Sequence, residues 1–258
     1  GKALHRYEPA SKVHQRFALP AMPGAVVPVV SGGLLLALAD GLAHFFPQTN
    51  QLSYRSDWLA DAPKLRANDG KCDPKGRFWI GSMHLDLVPH TGSLYRVGPD
   101  WQPILQLGQL TISNGLAWTQ DSRTCYFIDT ATSVILAFDF EPHKGYLSSP
   151  RVVVEVPESY GGPDGMCIDQ EGKLWVAHWG GHCVRRWDPD NGELLATIEV
   201  TAPQVTSCAF GGKDYRQLFI TTARSGLEEA TLVRHPHSGG LFVAKLPVGG
   251  LPPGAFQA

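Results

Sequence analysis

NDGKCDPKGRFWIG (68–81), NGLAWTQDSRTCYFID (114–129) and DGMCIDQEGKLWVA (164–177) are three versions of one pattern. Each opens on Asn or Asp, runs through an apolar stretch into a polar turn, and re-emerges as an aromatic, β-branched strand. That pattern reads as strand–turn–strand. The openings recur after 46 residues (68 to 114) and then 50 (114 to 164), a period that marks a repeat architecture. If the units fold alike, Asn68, Asn114 and Asp164 take the same place in successive units. Three oxygen-bearing side chains so placed converge on one point of a closed repeat, as a metal or substrate site requires.

Working outward, strand signals recur every 8–12 residues between Gly, Pro, Asp or Asn, and no 12-residue amphipathic helix pattern persists. The runs AVVPVV, GLLLALAD, GLAHFF and QLSYRS form one group of four. NDGKCDP, RFWIGSM, GSLYRVG and PILQLG form a second, and NGLAWT, TCYFIDT, VILAFDF and RVVVEVP a third. DGMCID, KLWVAHW, CVRRWDP and LLATIEV form a fourth; TSCAFGG, QLFITTA, GGLFVAKLP and the C-terminal tail form the last. Ahead of them, LHRYEPASKVHQRFALP reads as two strands that match the third and fourth strands of the other groups. The fold class is therefore all-β, a six-bladed β-propeller in which the inner strands of the first blade are missing from this chain. No linker is visible, so residues 1–258 read as a single propeller domain. A β-sandwich has too few strands to account for the repeat.

Composition narrows the function. Charged residues make up 18% and apolar residues 43%, with 28 Gly and 20 Pro, as in a turn-rich globular protein and unlike a disordered one. A net charge of −2 provides no basic face for nucleic acid. The longest apolar run, residues 32–39, is too short to cross a bilayer, and no signal peptide opens the sequence. Five cysteines without a CxxC pair favour a reducing compartment over a disulfide framework. The expectation is a cytoplasmic protein handling small molecules, with no nucleic-acid or membrane partner.

At RANDGKCDPKGRFWIGSM, ISNGLAW, PDGMCIDQEGKLWVAHWGG and TSCAFGGKDYRQLFITTA the sequence resembles the SMP-30/gluconolactonase family, which includes regucalcin and bacterial sugar lactonases. The resemblance runs from about residue 4 to the C-terminus. It implies a divalent cation in the channel of a six-bladed propeller and hydrolysis of a sugar-acid lactone. It assigns Asn114 and Asp164 to the metal, Asp164 also to general acid/base catalysis, and Arg66 and Asn68 to substrate. Asp86, three residues after Gly81-Ser82-Met83, matches a further substrate contact, as Asp where some members have Glu. The family's opening Gly-Glu-Gly-Pro segment, with its metal-binding Glu, has no match in residues 1–20; Glu8 lies in the HRYEP turn. Closure of the ring leads to the expectation that this segment lies ahead of Gly1, natural loss being the other reading.

Oxygen donors without His or Cys suit Ca²⁺, Mg²⁺, Mn²⁺ or loosely held Zn²⁺, with water and substrate completing the shell. Asn or Asp before Gly also favours turns, which is the structural reading of all three openings. His178 and His182 flank a loop rather than a helix face, so a structural or site-lining role is expected; His235 and His237 read as loop residues. Ser207 is expected to line the channel without a nucleophile's partners. Trp79, Trp175 and Trp187 are expected to pack between blades, and Asp73, Asp121 and Asp169 to form turns. The leading function is a metal-dependent lactonase acting on a small sugar lactone. The alternative is a non-catalytic propeller that binds calcium or a protein partner.

Overall fold

Each strand-like run becomes a β-strand in the computed structural model, which describes residues 1–258. The chain divides into two compact units, Gly1–Ser113 with Gly254–Ala258, and Asn114–Pro253.

In the first unit, β1 (Ala3–Glu8) and β2 (Val13–Ala18) form a two-stranded antiparallel sheet. The strands β3 (Pro23–Pro28), β4 (Leu34–Leu38), β5 (Gly41–Phe46) and β6 (Gln51–Ser56) form a four-stranded meander. A second meander contains β7 (Leu65–Cys72), β8 (Phe78–His84), β9 (Gly92–Val97) and β10 (Pro103–Leu110). In the second unit, β11 (Ser113–Trp118), β12 (Thr124–Asp129), β13 (Val134–Glu141) and β14 (Tyr146–Glu155) form a third. The fourth comprises β15 (Gly162–Ile168), β16 (Leu174–Trp179), β17 (Cys183–Trp187) and β18 (Leu194–Glu199). It joins β19 (Gln204–Gly211), β20 (Gln217–Ala223) and β21 (Leu241–Lys245) through a single bridge, Trp179↔Gln204.

Composition decides which strand lies where. LLLAL of β4 and, apart from its closing His84, FWIGSMH of β8 are apolar or small and are buried on both faces, whereas QLSYRS of β6 leaves most of its residues exposed. Continuous apolar runs fill the inside of a sheet stack, and mixed polar runs its margin. Trp187 packs in one cluster with Ile128, Ala137 and Val176, and Trp175 in another with Phe210 and Ile220. Those two tryptophans therefore join neighbouring strand groups, as expected.

The turn aspartates do more than shape turns. Asp73 accepts the backbone N–H groups of Lys75 (2.8 Å) and Arg77 (3.2 Å), the Arg77 side chain (2.6 Å) and the Trp79 indole N–H (3.0 Å). Asp169 repeats the arrangement with Glu171 and Lys173 (both 2.9 Å), the Trp175 indole (2.9 Å) and Arg186 (2.8 Å). Both carboxylates are buried, and each locks a core tryptophan to a turn.

One expectation is corrected. The C-terminal tail is not a fourth strand for the last group, which stops at three strands. Two consecutive prolines, Pro252-Pro253, supply no ladder donors, and the tail returns to the first unit. There Phe256 bridges Val29 in parallel, donates to Pro28 (2.8 Å) and packs edge-on against Trp101 (4.9 Å). A six-residue helix, Glu229–Arg234, lies between β20 and β21, too short to leave a periodic signal in the sequence.

Candidate functional site

The opening residues of β15 are set by a slip in register. Pro163 pairs His178, but Met166 pairs Val176, so Asp164 and Gly165 together face one residue of β16. The same slip occurs in β7, where Ala67 pairs Ser82 and Gly70 pairs Ile80, leaving Asn68 and Asp69 in the bulge. Asn68 and Asp164 thus hold equivalent register positions, as the sequence repeat suggests. A bulge re-aims a side chain out of the regular pleat, and bulges are over-represented beside active sites.

Within the second unit, Gly115 brings Asn114 beside Asp164. A Cβ on Gly115 would lie 2.7 Å from the Asp164 carbonyl oxygen, so only glycine allows β11 and β15 this close. Asn114 is 5% exposed, and its amide N–H donates to Thr130 Oγ1 (2.8 Å). The Thr130 hydroxyl in turn donates to the carbonyl of Pro163 (2.7 Å), the residue before Asp164. A hydroxyl has one proton, so Thr130 must accept from Asn114, and this fixes the amide with Nδ2 toward Thr130 and Oδ1 on its other side. Thr130 begins a short 3₁₀ turn capped by Asp129, whose side chain accepts the Ala131 N–H (3.4 Å). Sequence reasoning missed Thr130, whose signal was the polar Asp129-Thr130 pair closing an otherwise apolar strand.

A neutral amide oxygen and a carboxylate are hard donors that fit an oxygen-ligated divalent cation. No group of three or more His, Cys, Asp or Glu is poised around a metal position. Asn114 supplies an amide oxygen of this kind and Asp164 a carboxylate. Ser207 on β19 packs directly against Gly165, close in the chain to Asp164. His178 is fully buried opposite Pro163, with neither ring nitrogen in good hydrogen-bond geometry. Burial first, and then the Arg185 guanidinium, push its pKa down to about 4, with the Gly161 backbone pulling weakly the other way. It is a neutral structural imidazole. His182 lies tilted against His235, with ring centroids 5.0 Å apart, in a separate loop contact.

In the first unit, Arg66 and Asn68 are drawn together. Arg66 Nη1 donates to Asn68 Oδ1 (2.7 Å) and to the Ala67 carbonyl (2.9 Å), and Asn68 Nδ2 donates to the Ser113 carbonyl (2.9 Å). Asp69, which sequence reasoning passed over, accepts the Gly70 N–H (2.8 Å), and burial raises its carboxyl pKa against the opposing pull of Lys71. Asp86 is not drawn into this pair. Its side chain is exposed beyond the end of β8 and lies 3.9 Å from His84 Nδ1, while its backbone N–H donates to that nitrogen (3.0 Å).

Residues 1–224 match the model of the family described as SMP-30/Gluconolactonase/LRE-like region. The chain is 38% identical to regucalcin from Danio rerio, covering 99% of this chain and 88% of that protein. It is 36% identical to a candidate sugar lactone lactonase, YvrE, of Bacillus subtilis (strain 168), over 99% of this chain and 88% of that protein. Its structure resembles that of a calcium-binding protein, regucalcin, from Agrobacterium tumefaciens str. C58. The TM-score is 0.95 at 30% identity, covering 100% of this chain and 87% of that one. The fold class is the all-β propeller of these proteins.

Proposed function

Because this chain belongs to the SMP-30/gluconolactonase/LRE-like family, we propose that it opens the ring of a sugar-acid lactone with the help of one divalent cation. The observation that carries this reading is the Asn114–Thr130–Pro163 hydrogen-bond chain. It orients an amide oxygen beside the strand that bears Asp164. A relative named as a candidate sugar lactone lactonase supports the substrate class, and a neighbour described as calcium-binding supports the cation.

In this reading Asn114 Oδ1 and the Asp164 carboxylate hold the cation, which is Ca²⁺, Mg²⁺, Mn²⁺ or Zn²⁺. When bound, the ion polarises the lactone carbonyl and stabilises the charge that develops on its oxygen. The Asp164 carboxylate takes the proton from the attacking water. As the ring C–O bond breaks, Asp164 returns that proton to the departing alkoxide oxygen, giving the hydroxy acid. Arg66 supplies positive charge to the polar end of the sugar, and Asn68 hydrogen-bonds its hydroxyls. Asp86 is a further substrate contact. Residues 1–258 act as one propeller domain in the cytosol, a reducing compartment that suits a chain whose five cysteines form no disulfide framework.

The second reading, a non-catalytic calcium binder, is favoured by the description of the Agrobacterium tumefaciens neighbour as a calcium-binding protein. Acid release from a panel of aldonolactones, followed by pH-stat for wild type and Asp164→Ala, separates the two. The lactonase reading predicts cation-dependent turnover that falls about 10²–10⁴-fold in the variant, with its β-sheet circular dichroism unchanged. Calcium binding without turnover of any lactone favours the second reading.

A further inference from the structure

Two thiols of the second unit lie side by side. Cys167 on β15 and Cys208 on β19 have their sulfur atoms 3.6 Å apart, 41 residues apart in sequence. The strands meet here because Gly165 seats Ser207 against its backbone, and each cysteine follows within two residues. Both are buried, Cys167 8% and Cys208 3% exposed, in a cluster with Trp175, Val205 and Phe210. The Cys208 thiol also donates to the Trp175 carbonyl (3.2 Å). With its one proton used there, Cys208 is the acceptor of the sulfur–sulfur contact and Cys167 the donor. The Cys167 S–H bond therefore points at a sulfur lone pair.

We propose that Cys167 and Cys208 are a redox modification site, at which a two-electron oxidant of the peroxide class converts the pair into a disulfide tying β15 to β19. The sulfur of Cys167, the more exposed of the two, attacks a peroxide oxygen, breaks the O–O bond and becomes a sulfenic acid, releasing one water. The sulfur of Cys208 then attacks the Cys167 sulfur, forming the S–S bond and expelling a second water. Two electrons pass from the sulfur pair to the peroxide, and both thiol protons leave in the two waters. The sulfurs need approach only from 3.6 Å to about 2.05 Å. A dithiol exchanger reverses the step. This inference stands on the sulfur geometry and is independent of the lactonase reading.

The test uses the full chain treated with hydrogen peroxide, then unfolded and alkylated. The expected result is loss of two of the five thiols and, before alkylation, an intact mass lower by two hydrogens. Peptide mapping should show one cross-link joining Cys167 to Cys208, and dithiothreitol should restore both thiols. In folded Cys208→Ala, peroxide should add oxygen at Cys167 and form no intramolecular cross-link. Five thiols surviving in the wild type, oxygen addition without a cross-link, or a cross-link to any other cysteine overturns the proposal.

Discussion

At Thr130 one hydroxyl proton decides which end of the Asn114 amide faces away. Its donation to Pro163 and acceptance from Asn114 fix the Asn114 amide, and under the proposed function the loss of such an orienting partner typically costs about 10–100-fold in metal affinity. Thr130→Val keeps the shape and removes the hydroxyl. Calcium titration calorimetry should show affinity weakened by about that factor with the fold retained, and unchanged affinity would remove Thr130 from the account. His178 gives a second prediction at this scale. Its folded pKa of about 4 lies below the ordinary 6.5, so protonation favours the unfolded chain. The stability it contributes is complete above pH 6.5 and is lost as pH falls toward 4, by up to about 3 kcal/mol. In urea unfolding at pH 7.5 and 5, His178→Leu should lose less stability on acidification than wild type; an equal loss would contradict the neutral buried imidazole. The repeat brought Asn68, Asn114 and Asp164 to notice because all three open the same pattern. Thr130 and Asp69 escaped notice, since the first acts through a partner 33 residues away and the second through burial.

At the scale of the element, strands were legible and their slips were not. Hydrophobic period and turn residues place all twenty-one strands, but the extra residue at Asn68–Asp69 and at Asp164–Gly165 emerges only from pairing with β8 and β16. The glycines record closeness more directly than the sequence suggests. Gly115→Ala would press a methyl group onto the Asp164 carbonyl from 2.7 Å, and backbone cannot rotate away. Urea unfolding should show about 1–3 kcal/mol of destabilisation, with weaker cation binding as β11 and β15 separate. Wild-type stability and affinity in that variant would show that the approach is not tight. The turn aspartates were read as local features, yet Asp169 gathers a tryptophan from its own hairpin and Arg186 from β17. Asp169→Asn leaves that guanidinium without its buried carboxylate.

For the whole molecule, the six strand groups were countable from the sequence because each closes on its own turns. The path of the tail was not, because Phe256 carries no periodic signal and its partners Val29 and Trp101 lie far back in the chain. Phe256 is fully buried, so Phe256→Ala should cost about 3–5 kcal/mol in urea unfolding, where a loss under 1 kcal/mol would show the tail to be dispensable. Cation-dependent ring opening is read from the rate of acid release from aldonolactones by the chelator-stripped chain, before and after a divalent cation is returned. Ring opening should disappear on stripping, return with the cation, and fall about 10²–10⁴-fold in folded Asp164→Ala. Turnover unaffected by stripping, or no turnover by a folded chain with any of the four cations, would contradict it.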